Sequence, residues 1–162
     1  MSRIATPADA PTLLSIWQSA LPRLIIDYGA GNVNQVRTAQ DFIDDMARDA
    51  EYWLLNNQQG YWAARPASIP TSVTDGAVGV MGWWGFEAPM IAGLSQQQFR
   101  QAMVEVARDW RDRGIALGYR WGWTTGPLTL PAVAIMDATC QRRHVLGADG
   151  LWVFDLTSMV VA

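Results

Sequence analysis

The chain has 162 residues, half of them hydrophobic and 17% charged, with a formal net charge of −3. That length suits one domain with a core of its own, and that apolar content excludes a disordered chain. The charge excludes a general attraction to nucleic acid, and no apolar run approaches the roughly 18 residues of a membrane-spanning helix.

The opening decapeptide MSRIATPADA has neither a basic region nor an apolar core, so no secretory signal is expected. Residues 2–5 read as a short strand. Thr6-Pro7, with Asp9 close behind, is helix-start chemistry: proline tolerates the first turn, and short polar side chains cap it. The predicted helix carries Leu13, Leu14, Ile16, Trp17 and Leu21 and stops near Pro22. Residues 23–40 have no clean period, and Gly29-Ala30-Gly31-Asn32 must turn. It is not a phosphate loop, because the terminal Gly-Lys-Ser/Thr is missing. Residues 41–49 read as a short acidic helix with Phe42, Ile43 and Met46 inward. Residues 51–56 and 60–65 read as strands of a hairpin across Asn57-Gln58-Gln59. Strand alternation turns one member of each pair, Tyr52/Trp53 and Tyr61/Trp62, outward. Residues 66–75 are a Pro/Ser/Thr loop, and 77–86 a third strand.

The firmest element is the helix over residues 95–114. Phe99, Met103, Val106 and Trp110 recur at spacings of four, three and four, so they share one face. Ser95 is the expected N-cap, and Gly114 the expected stop after Arg111 and Arg113. Residues 118–124 (GYRWGWT) form the next strand. Strand, helix and strand make a βαβ unit whose first turn, from Glu87 to Ser95, should point at a ligand. A short helix over 130–139 with Pro131 in its first turn follows, then strands over 142–146 and 151–156 joined by Gly147 to Gly150.

Two features of composition stand apart. There are nine tryptophans, and all twelve basic residues are arginine. Absence of lysine fits an arginine-favouring genome. It also suits a protein that handles activated acyl groups and gains by having no amine side chain to modify. The tryptophans fit a heavy core, a flat-walled apolar pocket, or a patch for a protein partner.

The opening RIATPADAPTLLSIW and the tail from GYRWGWTTG through LPAVAIMDATCQRRHVLGADGLWVFDL resemble the acyl-CoA N-acyltransferases of the GNAT superfamily. The likeness covers essentially the whole chain in element order and is nearest in flavour to small, divergent bacteriophage-type members. It implies an α/β fold in a single domain, residues 1–162: a mixed central sheet of six or seven strands flanked by about four helices. It also implies an acetyl-CoA cleft where the 77–86 and 118–124 strands splay apart. The pyrophosphate would lie on amides opening the central helix, where free N–H groups and the positive dipole end favour anions. Phe86, Gly93, Leu94, Ser95, Gln96 and Trp123 are the cofactor-binding candidates that follow.

Two departures from the family accompany that likeness. The turn reads Ala92-Gly93-Leu94-Ser95-Gln96 where members carry Arg/Gln-x-x-Gly-x-Gly/Ala. Asp137 stands where members place a tyrosine near the thiolate leaving group. Asp137 could protonate the thiolate only with a raised pKa; otherwise it is a surface carboxylate. Glu87 is the candidate base for the acceptor amine, or a solvated loop glutamate. His144, without a Cys or His partner at metal spacing, reads as structural, so no metal is expected. Lone Cys140 reads as core, forms no internal disulfide and fits a cytoplasmic setting.

Two functions are consistent with these residues. One is an acetyl-CoA-dependent N-acetyltransferase acting on a small-molecule or protein amine. The other is a catalytically silent GNAT scaffold that binds a protein partner of a host or a virion. Neither involves nucleic acid or a membrane.

Overall fold

Arg3 and Asp9 carry opposite charges six residues apart, and the chain folds so that they meet. In this computed structural model the described residues are 2–55, 60–68, 81–84, 95–125, 138, 143–146 and 151–160. Arg3 sits on β1 (Arg3–Ile4), and Asp9 ends a 3-10 turn (Pro7–Asp9) that leads into α1 (Ala10–Tyr28). The guanidinium donates to both Asp9 carboxylate oxygens, at 3.0 and 2.8 Å, and the Thr6 amide donates to one of them at 2.8 Å. Arg3, and then Thr6, hold the Asp9 carboxyl well below the usual carboxylate range.

The chain divides into two compact units. The first comprises Met1–Ala63 and Glu87–Phe99. Its helix α1 does not stop at Pro22, contrary to the sequence expectation. Pro22 is exposed, while Leu21 and Leu24 beside it pack against the core. That burial offsets the roughly 3 kcal/mol a helical proline costs. Gly29, at φ 87°, ends α1, and a 3-10 turn (Ala30–Asn32) follows. The helix α2 (Ala39–Arg48) begins in a capping box: Thr38 N–H donates to Asp41 at 2.7 Å, and Asp41 N–H returns a bond to Thr38 Oγ1 at 3.4 Å. Phe42 is fully buried, with Ile43 and Met46 half-buried against the same core, as their spacing predicts.

The strand β2 (Glu51–Leu54) pairs antiparallel with β1, and Leu55 N–H bonds Gly60 O at 3.0 Å to close the predicted hairpin onto β3 (Tyr61–Ser68). Phe42, Tyr52 and Tyr61 meet edge to face, with centroids 5.1 to 5.9 Å apart. The aromatics expected to face outward are covered instead. Trp62 is wholly buried, Trp53 half-buried, and the two rings stack at 5.2 Å, while Trp62 Nε1 donates to Ser2 Oγ at 3.0 Å. Alternation sends them to the face opposite Tyr52 and Tyr61, where the two rings stack on each other.

The second unit comprises Ala64–Phe86 and Arg100–Ala162 and takes in the later part of β3. There β3 pairs antiparallel with β4 (Met81–Trp84). Next, β4 runs parallel to β5 (Trp121–Thr125), with Trp83 registered on Gly122 and Trp84 on Trp123. Two more strands, β6 (Arg143–Leu146) and β7 (Leu151–Asp155), form the predicted antiparallel pair, and β7 lies against β5. The order is β3-β4-β5-β7-β6.

The helix that joins β4 to β5 in sequence is α3 (Gln96–Ala116). Met103, Val106 and Trp110 are fully buried, as the period required. Gly114 is not its stop. Apolar Ile115 and Ala116 carry the helix on, and Gly118, at φ 89°, turns the chain. Tyr119 N–H bonds Gly114 O and Gly118 N–H bonds Ile115 O, both at 2.9 Å, the two bonds of a Schellman motif. Three α-helices are present among the described residues; the expected fourth, over 130–139, lies outside them save residue 138.

Gly122 fixes how α3 meets the sheet. A Cβ there would lie 2.3 Å from the Trp110 ring and 2.9 Å from Leu156. The indole therefore rests directly on the β5 backbone. Phe154, registered on Gly122 from β7, is fully buried.

Candidate functional site

A serine followed three residues later by a glutamine can seal a helix start from both sides. Ser95 and Gln98 do so at α3. Gln98 N–H donates to Ser95 Oγ at 3.1 Å, and Ser95 N–H donates to Gln98 Oε1 at 2.9 Å. Ser95 was read from the sequence as a cap; its partner Gln98 was missed, although the S-x-x-Q spacing marks it. The amides of Gln96 and Gln97, at the first two helical positions, have no intrahelical acceptor and point along the positive end of the helix dipole. The amides of Ser95 and Gln98 are already bonded within the box.

The parallel β4–β5 pair lies in the second unit. Parallel strands joined through a helix leave their carboxyl ends as the natural binding edge of an α/β sheet. On β5, Trp123 is half-buried and Trp121 is buried, on the face opposite Gly122 and Trp110. Beyond Trp84 the continuation of β4, with Phe86 and Glu87, lies outside the described residues, so the expected divergence of the strands does too. Gly93, Leu94, Asp137 and Cys140 also lie outside them. Of Gln96 the backbone alone is described, and His144 is described as a backbone partner of Val153 on β7. Ser95 and Gln96 belong to the first unit and Trp123 to the second.

Two polar clusters escaped the sequence reading. At the end of β7, Asp155 is fully buried. Burial alone would push its carboxyl up. The Thr157 hydroxyl at 2.6 Å, the Arg120 guanidinium at 3.2 Å and the Thr157 amide at 3.1 Å outweigh that and hold it below its ordinary value. This is a structural lock on the 3-10 turn (Leu156–Ser158), not a proton donor for neutral pH. In the first unit, Asp45 on α2 accepts from Arg37 at 2.8 Å, Arg48 at 2.7 Å and the Tyr52 hydroxyl at 2.7 Å. Arg37 also bonds the Tyr52 hydroxyl and lies 4.0 Å over the Phe42 ring. Loop, helix and strand each supply a member, so no local pattern announces the group.

Among the described residues no group of three or more His, Cys, Asp or Glu side chains could hold a metal ion. Among them, too, no helix is long and apolar enough to cross a membrane.

Two solved structures share this architecture. One is a ribosomal-protein-alanine N-acetyltransferase from Brucella melitensis, at 14% identity and a TM-score of 0.56, covering 94% of this chain and 96% of that one. The other is the GNAT family N-acetyltransferase YhbS from Escherichia coli in complex with CoA, at 14% identity and a TM-score of 0.52, covering 96% of this chain and 81% of that one. No protein-family description matches the chain, and no curated protein matches it in sequence. The chain is thus an α/β protein with the GNAT fold. At such identity the likeness establishes the fold; the chemistry has to be argued from the residues.

Proposed function

We propose that the chain binds acetyl-CoA beside the β4–β5 pair and transfers its acetyl group to an amine of a small molecule or a protein. The observation that carries this reading is the parallel registration of Trp84 on Trp123, on strands connected in sequence by a Ser95-capped helix. The fold's N-acetyltransferases, one of them holding CoA, support it. Bound acetyl-CoA would supply an activated thioester carbonyl. The amides of Gln96 and Gln97, with Gly93 and Leu94 before them in sequence, would hold its pyrophosphate, and Phe86 and Trp123 would flank its pantetheine arm. Glu87, directly or through a water, would accept the proton of the attacking amine. Asp137 would return a proton to the departing sulfur. Strand amides would steady the oxyanion.

The closed Ser95–Gln98 box favours a second reading. It takes up two donors within the chain, and the sequence just before it, Glu87 to Leu94, carries no arginine, so the fold would serve as a scaffold for a host or virion protein.

Titration calorimetry with acetyl-CoA separates the two. Micromolar binding, with acetyl transfer to an amine acceptor, supports the enzyme. Silence at millimolar acetyl-CoA overturns it and leaves the scaffold.

A further inference from the structure

In the second unit the chain keeps its hold on β5 and α3 after β7 has ended. Asp155 stands opposite Trp121 in the β5–β7 pair, and Leu156 N–H then donates to Arg120 O at 2.8 Å. Residues Leu156–Ser158 make one 3-10 turn, and Met159 N–H closes it onto Leu156 O at 3.2 Å. From the flank of α3, Arg111 donates to Met159 O at 3.0 Å. This short segment therefore bonds both sides of the connection that leads from α3 into β5.

Its apolar side chains belong to the core. Leu156 is fully buried and Met159 nearly so. Leu156 reaches the same point over Gly122 as the Trp110 indole, so the segment covers the seat on which α3 rests. Its polar hold is light by comparison. A 3-10 turn of this length has little backbone bonding of its own. Arg120, which bonds Asp155, is 58% exposed, so water screens that ion pair. The Arg111 guanidinium is mostly covered, and its charge-assisted bond to Met159 O is the firmer tie. A segment with few bonds at the margin of a core opens at a lower free energy than the whole unit.

The geometry points to residues 156–159 as a strap that fastens α3 to β5 and opens together with the α3 segment from Met103 to Trp110, while β5, β6 and β7 stay paired. Opening lifts Leu156 from Gly122 and uncovers the Trp110 ring beside it. Closing restores the Arg111 and Arg120 bonds together. The strap lies within the second unit and stands whether or not acetyl-CoA binds.

The test is amide hydrogen exchange on the full chain, followed by NMR under conditions where the rate reports the opening equilibrium. Two variants weaken the strap from opposite sides. Thr157→Val removes the hydroxyl that donates to Asp155 at 2.6 Å, from an exposed position, so the fold is kept. Arg111→Met keeps an aliphatic stem and removes the bond to Met159 O. Each should speed exchange at Leu156, Met159, Val106, Ala107 and Trp110 by one common factor, roughly fivefold for a lost hydrogen bond. The amides shared by β6 and β7 should be unchanged. Asp112→Asn, which leaves the Arg111 bond to Met159 O in place, should change none of them. Faster exchange in the strap alone would overturn the proposal, since the turn would then open without α3. An equal rise at β6 and β7, which marks general destabilisation, or unchanged rates throughout would overturn it as well.

Discussion

The two units solve the problem of burying large aromatics in opposite ways. In the first, three rings meet edge to face around Phe42, and the polar tip of Tyr52 is answered by Asp45 and Arg37. In the second, one indole, Trp110, rests against a bare backbone because position 122 has no side chain. The first core depends on satisfied hydrogen bonds and charge. The second depends on the absence of a single carbon. Substitutions should therefore hurt the first by leaving a polar group unanswered and the second by volume alone.

The largest effect is expected at Trp110. Trp110→Ala should cost about 3–5 kcal/mol in chemical unfolding, because the cavity has rigid β5 backbone as its floor. Gly122→Ala should cost about 1–3 kcal/mol by overpacking. A double-mutant cycle sharpens this: in a Trp110→Leu background the Gly122→Ala penalty should shrink, since the clash belongs to the pair. Additive penalties would place the strain elsewhere. In the first unit, Asp45→Asn should cost about 1–3 kcal/mol, because Arg37 loses its carboxylate while still 85% covered. Tyr52→Phe, which removes only the hydroxyl, should cost about 1 kcal/mol.

The smallest effect concerns pH. Asp9 and Asp155 are both held below the ordinary carboxylate value in the folded chain. Their contribution is thus complete above about pH 4, where the unfolded carboxylates are ionised too. It is lost as pH falls further toward their folded values. Melting temperature should be flat from about pH 7 to 5 and decline below about 4. In Asp155→Asn the acid decline should be shallower, from a lower starting point. An unchanged slope would show that the Arg120–Asp155–Thr157 lock contributes nothing.

Features written in one stretch of chain were legible before any coordinates. The face shared by Met103, Val106 and Trp110, the inward set of α2, the hairpin and the parallel β4–β5 pair all follow from period and turn chemistry. Helix ends were less legible where two signals compete. Pro22 and Gly114 look like stops, yet Leu21 and Leu24 pack against the core around Pro22, and the turn that ends α3 forms at Gly118, past Gly114. Tertiary groups were not legible at all. Nothing at Arg37, Asp45 or Tyr52 singly suggests a cluster, and a tryptophan's need for Gly122 shows only when α3 lies on β5. Of the site, the cap at Ser95 and the strand bearing Trp123 were readable, and Gln98 should have been.

The central proposal, that the chain binds acetyl-CoA, is tested most directly by titrating the isotopically labelled chain with acetyl-CoA and following its backbone amides. The account predicts saturable shifts at Gln96, Gln97, Trp84 and Trp123, and none on α2. An unmoved spectrum at millimolar ligand, or shifts that spare α3 and β5, would contradict it.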